Sequence, residues 1–311
     1  MQVIGNLLEY MCAKNYLNRE RFHKDVAKIK LCSFLPHILQ AYTVCAAAGV
    51  IGTIWTGCDV VGVTSVDGKL FVLLQHRVNS QVAVYSINDY QLLRHLNVPE
   101  YKPDRCNDMT SCARYKCLYM SDNDNSCIHR YELASNATSK WSVPGQPRRL
   151  SVTHSCNLLV ICQEANKPTL VELSADNGQS LREIELQWDT DRPRHSVQLT
   201  TGQHVVCYGY GRLHQVCVVS DDGTVTHSYG GECGSDVGQL NVPCHMAVDN
   251  DSQLIFVADK WNHRVVLLSP TLEFVRYFSE RLSQPRRLYF HQATRRLFVG
   301  QVSGDVAVIQ L

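Results

Sequence analysis

The chain has 311 residues, 45% of them apolar and 19% charged, with a formal net charge of +1 and 14 cysteines. That balance excludes a disordered chain and leaves room for one large domain or two ordinary ones. A field this close to neutral also excludes a broadly basic nucleic-acid binder, so any cationic patch has to be local.

Residues 1–30 carry Lys14, Arg19, Arg21, Lys24, Lys28 and Lys30 among apolar residues at loose helical spacing, which predicts a short N-terminal helix. From Leu31 to Cys58 there is no Asp, Glu, Lys or Arg. A run of that length can cross a bilayer. Ser33, Pro36, His37, Gln40 and Thr43 dilute it, however, and its last third is better used as a strand. No membrane span is expected, nor a cleavable signal peptide, because the apolar run starts too far from Met1. Residues 1–48 are therefore read as an extension, helical or partly disordered, ahead of a domain over 49–311.

From about residue 50 onward the chain shows strand signals and no convincing helix. Short apolar runs are separated by turn residues such as Asp67-Gly68, Asp122 to Asn125, Asp176 to Gly178, Asp221 to Gly223 and Asp249 to Asp251. The runs are periodic. LFVL, LYMSD, LLVIC, HVVCY, IFVAD and LFVG align on Phe71, Tyr119, Leu159, Val205, Phe256 and Phe298, which are 48, 40, 46, 51 and 42 residues apart. Units of about 45 residues with four short strands are the signature of β-propeller blades. Pro147, Pro193, Pro243 and Pro285 stand 12 or 13 positions before the aligned residue. Proline fits the first residue of a strand, where its missing N–H is not needed. The last unit ends at Leu311 after its third strand, and the apolar stretch 49–57 is expected to supply the fourth and close the ring.

The cysteines show no CxxC and no zinc-module spacing. Cys162, Cys207 and Cys217 fall inside apolar runs, as reduced core thiols of a cytoplasmic protein do. No metal and no cofactor is expected.

The segment from Val242 to Phe278 resembles an NHL repeat: Pro243, the trio Ala247-Val248-Asp249, IFVAD, and Asn262-His263-Arg264 followed by VVLL match its pattern. The resemblance is strong over 230–311 and weaker over 55–229, where the Asn-His pair is lost. It implies an all-β, six-bladed propeller similar to that of tripartite-motif NHL proteins, whose propellers bind protein segments or single-stranded RNA. It also implies an adaptor role in ubiquitin-ligase-type pathways. Residues 1–49 hold too few Cys and His for a RING or B-box. Asp259, Asn262 and His263 are read as bracing a turn rather than doing chemistry.

Propeller topology brings the starts of the first strands and the turns between second and third strands to one face. Arg148, Arg149, Arg194, His195, Tyr210, Arg212, His245, Lys260, Trp261, Arg264, Arg286 and Arg287 are accordingly the expected ligand-binding face, with His76, Arg77, Lys167 and Tyr208 nearby. Asp122, Asp124, Glu164, Asp191 and Asp305 are the acidic residues able to neutralise part of it. The favoured reading is a monomeric, non-enzymatic recognition propeller for a protein segment or single-stranded RNA, with no double-stranded DNA partner. The alternative is a metal-dependent lyase or hydrolase in the central channel, where His195 and His245 could reach one ion. No nucleophile elbow, HExxH or dinucleotide fingerprint supports an enzyme, and no third ligand is evident.

Overall fold

A computed structural model describes residues 49–75, 81–101, 107–164, 167–186, 192–279 and 281–311. The helix expected over 1–30, most of the uncharged run, and His76, Arg77 and Asp191 lie outside these residues. Among the described residues no helix is long and apolar enough to cross a membrane.

The described strands form six antiparallel sheets of four. Strand β1 (Gly49–Trp55) comes first in the chain. Blade 1 follows, with β2 (Asp59–Val66), β3 (Lys69–Gln75), β4 (Gln81–Ser86) and β5 (Leu92–Leu96). Blade 2 has β6 (Met109–Cys112), β7 (Cys117–Asp122), β8 (Cys127–Glu132) and β9 (Thr138–Ser142). Blade 3 has β10 (Gln146–Val152), β11 (Leu158–Glu164), β12 (Lys167–Leu173) and β13 (Ser180–Glu185). Blade 4 has β14 (Pro193–Gln198), β15 (His204–Tyr208), β16 (His214–Val219) and β17 (Val225–Gly231). Blade 5 has β18 (Pro243–Val248), β19 (Ile255–Asp259), β20 (Arg264–Leu268) and β21 (Phe274–Phe278). Blade 6 has β22 (Pro285–His291), β23 (Arg296–Gln301) and β24 (Asp305–Gln310), and β1 completes it as the outermost strand by pairing with β24 from Gly49 opposite Gln310 to Trp55 opposite Asp305. Each first strand contacts the first strands on both sides, β2 to β6 to β10 to β14 to β18 to β22 and back to β2, so the sheets close into a six-bladed propeller.

The burial follows from the sequence. Second and third strands are sandwiched between neighbouring blades and so are largely apolar on both faces; β19 (IFVAD) and β20 (RVVLL) are buried at every position. Fourth strands are the most exposed of each blade and several are polar, as in β13 (SLREIE) and β9 (TSKWS). The core is a series of apolar layers between blades. Val205, Val216 and Val218 of blade 4 pack with Met246, Val257 and Val266 of blade 5. Ile54 of β1 packs with Val60, Phe298, Val306 and Val308 between blades 6 and 1.

Five of the first strands carry a register shift near their start, between Val60 and Gly62, Pro147 and Arg149, Pro193 and His195, Pro243 and Met246, and Pro285 and Arg287. A bulge re-aims the side chains beside it. Here the second residue after each proline, Arg149, His195, His245 or Arg287, is the one that ends up buried inside the ring.

Candidate functional site

The bulges place Arg149, His195, His245 and Arg287 at one level of the channel, and all four are buried. Asp108, just before β6, joins them and is fully buried. The matching position of blade 1 is Gly62, which presents no side chain.

These groups knit the inner strands together around the ring. The Leu150 N–H donates to Asp108 Oδ2 (3.1 Å), joining blades 2 and 3. His195 Nε2–H donates to the Leu150 carbonyl (3.1 Å), and the Met246 N–H donates to His195 Nδ1 (3.2 Å), joining blades 3, 4 and 5. The Leu288 N–H donates to His245 Nδ1 (3.3 Å), joining blades 5 and 6. Arg287 donates from Nε to the Val61 carbonyl (2.6 Å) and from Nη2 to the Asn107 carbonyl (3.1 Å), which closes the circle through blades 1 and 2. Across the channel Asp108 pairs with Arg287 (3.0 Å) and His245 (3.4 Å), and the two imidazoles stack at 3.8 Å.

Burial first, then His245, pushes the His195 imidazole well below its ordinary pKa, and burial also lowers His245 against the pull of Asp108. Both rings are thus neutral. Each accepts a backbone N–H at Nδ1, so each proton sits on Nε2. Burial pushes the Asp108 carboxyl up, but Arg287 and then His245 outweigh it and hold the group below the usual carboxylate range.

The sequence offered no third partner for the two histidines, and the structure supplies one: a ligand atom from each of Asp108, His195 and His245 lies within 4.8 Å of the others. The chemistry of the trio is nevertheless that of a brace. Both Nδ1 lone pairs are taken by backbone N–H groups, both Nε2 atoms carry protons, and Arg287 sits against the carboxylate.

The twelve residues expected on one face therefore divide. Arg149, His195, His245 and Arg287 lie inside the channel. Arg264 is buried as well: Nε pairs with Asp259 (2.7 Å), Nη1 and Nη2 donate to the carbonyls of Ser235 (2.7 Å) and Gln239 (2.9 Å), and the guanidinium lies 5.2 Å from the Tyr277 ring. In the same turn Asp259 accepts from the Asn241 N–H (2.6 Å) and Asn262 Nδ2 (2.8 Å), while Asn262 also donates to Gly234 O and His263 adopts a left-handed φ of 53°.

The remaining residues stay at the mouth. Trp261, Tyr210 and Arg212 are exposed, and Arg148, Arg194, Lys260 and Arg286 are half-buried. Arg148, Arg149, Gln163, Arg192, Pro193 and Arg194 line a cleft of about 40 Å³ between blades 3 and 4, with no carboxylate in its described lining. Arg194 lies 4.6 Å over the Tyr210 ring. Arg286 meets Asp59 at 3.4 Å. Positive charge is crowded here: burial first, then Arg286 and Arg194, lowers the Lys260 pKa, and burial with Arg287 and Arg194 pushes Arg149 well below its ordinary value. Burial also takes Arg287 down to about 10 despite Asp108. Two of the acidic residues expected to neutralise the face have other partners: Asp122 binds His129 and Asn125, and Asp305 binds Gln301 and Ser303.

Sequence reasoning missed Asp108 and Arg192. Asp108 carried a signal: it stands 11 residues before Tyr119, as His245 and Arg287 stand 11 before Phe256 and Phe298. Blade 2, like blade 1, lacks the proline that marked blades 3 to 6.

No protein-family model matches the chain, and no curated protein matches it. The fold is shared with solved structures. Virginiamycin B lyase from Staphylococcus aureus superposes with a TM-score of 0.59 at 11% identity over 85% of this chain and 99% of that one. A streptogramin B lyase gives 0.58 at 11% identity over 85% and 96%. Kuenenia stuttgartiensis hydrazine synthase gives 0.58 at 13% identity over 80% and 83%. The expectation of a non-enzymatic protein is corrected here. Two of these similar propellers are lyases, so this architecture does not mark a chain as non-enzymatic; at such identity the likeness shows the fold alone.

Proposed function

We propose that the protein is a recognition propeller of NHL-repeat type that binds single-stranded RNA across the cationic channel mouth. The observation that carries this reading is the cleft between blades 3 and 4, where Arg148, Arg149, Arg192 and Arg194 converge without a lining carboxylate among the described residues. Guanidinium forks suit phosphate oxygens, and an exposed ring beside them offers a face on which a base can stack. Tyr210 and Trp261 are 43% and 58% exposed at this mouth and leave ring faces open to a ligand. Buried Cys112, Cys117, Cys162 and Cys207 fit a reducing compartment such as the cytoplasm.

The test is fluorescence-anisotropy titration of the full chain with a labelled single-stranded oligouridine over a range of salt. Replacing Arg148 and Arg192 with Glu is expected to weaken binding at least about tenfold and to lower the salt slope by about one for each phosphate no longer neutralised. Tyr210→Ala should weaken binding with little change in slope. Unchanged affinity in the charge-reversal variant, or binding of an acidic peptide with no RNA binding, would overturn the assignment.

A further inference from the structure

We propose that Asp122, Cys127 and His129, in the outer turn of blade 2, form a binding site for a divalent transition-metal ion of the zinc type.

The comparison with blade 5 brings the site into view. In blade 5 the turn between second and third strands is anchored by Asp259, whose buried carboxylate faces Arg264 five residues on. In blade 2 the equivalent carboxylate is Asp122, and the residue five positions on, cross-strand from it, is Cys127. The guanidinium that balances the charge in blade 5 is thus replaced by a thiol. Asp122 keeps the polar part of the arrangement: its carboxylate accepts the Asn125 N–H (3.1 Å) and Asn125 Nδ2 (2.9 Å). No arginine or lysine among the described residues forms an ion pair with it. A buried carboxylate without a cationic partner is expensive.

The groups that gather in place of the arginine are metal ligands. His129 Nε2 lies 2.9 Å from Asp122 Oδ2, and one ligand atom from each of Asp122, Cys127 and His129 falls within 4.8 Å of the other two. All three residues are buried, at 1%, 6% and 0% exposure. Zinc bonds of about 2.0–2.3 Å to N, O and S put tetrahedral ligand atoms roughly 3.3–3.8 Å apart, within reach of a small adjustment of these side chains.

The imidazole distinguishes this trio from the one in the channel. There each Nδ1 accepts a backbone N–H, which holds the proton on Nε2 and closes the ring to a metal. The Nδ1 of His129 has no hydrogen-bond partner, so the proton that Nε2 directs at Asp122 can move to Nδ1 when a metal takes its place. With the proton on Nδ1, Nε2 has a lone pair for a metal. The channel trio also has Arg287 in ion-pair contact with its carboxylate, whereas at this one the neighbouring Lys140, cross-strand from His129, pairs with Glu100 instead. Asp, Cys and His together are a borderline donor set that suits zinc or cobalt and not magnesium or calcium.

The test is cobalt titration of the reduced, chelator-treated full chain. One equivalent is expected to produce a near-ultraviolet thiolate-to-cobalt band with the visible bands of a tetrahedral ion, and zinc should displace both. Cys127→Ser should abolish the thiolate band, His129→Gln should weaken affinity at least about tenfold, and Cys244→Ser should change neither. X-ray absorption of the zinc-loaded wild type reads the site without any substitution and should show one sulphur among nitrogen and oxygen neighbours. A wild type that gives no stoichiometric band, a band that survives in C127S, or a shell of several sulphurs would overturn the proposal.

Discussion

At the scale of single residues, charge had two fates that look alike in the chain. Arg286 and Arg287 are neighbours at the start of β22, yet one sits half-buried at the mouth while the other is 1% exposed and spans blade 1 to reach Asn107 and Asp108. The register shift beside Pro285 falls on Arg286, whereas Arg287 stands opposite Gly300 in the ladder, so the two side chains leave the strand at different places. Arg264 reads as a ligand-face residue for a related reason: a sequence shows the guanidinium and not the carboxylate buried against it. Its removal gives a clear expectation. Arg264→Ala leaves Asp259 buried and unpaired, which should cost about 3–5 kcal/mol in urea unfolding, while the double change D259N/R264M should recover part of that loss. A single-variant cost near zero would show that the turn does not depend on the pair.

At the scale of elements, the strands were legible and their partners partly so. Second and third strands are apolar over most of their length because both faces of each blade are covered, and that made LFVL, IFVAD and RVVLL visible as recurring units. First strands are legible where proline marks them, in blades 3 to 6, and not in blades 1 and 2, where β2 and β6 carry no such residue. The outer strand of blade 6 comes from the other end of the chain, as β1, and covers an edge that β24 would otherwise expose. Ile54, 4% exposed, is its contribution to the layer with Val306 and Val308. Ile54→Asp should therefore cost at least about 3 kcal/mol, and a chain starting at residue 59 should aggregate on size-exclusion chromatography. A monomeric truncated chain with an unchanged melting temperature would show that β1 is dispensable.

At the scale of the whole molecule, the closed ring carries a pH dependence. His195, His204 and His245 all have pKa values lowered in the fold, each by burial first; His204 has both ring nitrogens buried without a hydrogen-bond partner. A histidine held neutral in the fold takes up its proton more readily when unfolded. Stability is thus fully present above the ordinary value near 6.5 and is lost as pH falls below it, by about 1.4 kcal/mol per pH unit for each proton the unfolded chain gains in excess. Melting temperatures should drop between pH 7.5 and 5.5, and His204→Asn should flatten that slope. A flat profile in the wild type would mean that these rings protonate without leaving their places.

Periodicity, turn residues and a run of prolines were enough to read six blades of four strands, because each unit repeats one solution to burying two faces and the spacing survives even where the motif is lost. The arrangement at the axis was not readable in the same way. Which basic residues turn inward depends on bulges that shift the register of single residues. Asp108 meets His245 and Arg287 only after three blades that are distant in sequence are brought around one axis. The chain order specifies the walls of the channel, whereas what fills it, and which charges remain to meet a ligand at its mouth, is settled when the ring closes.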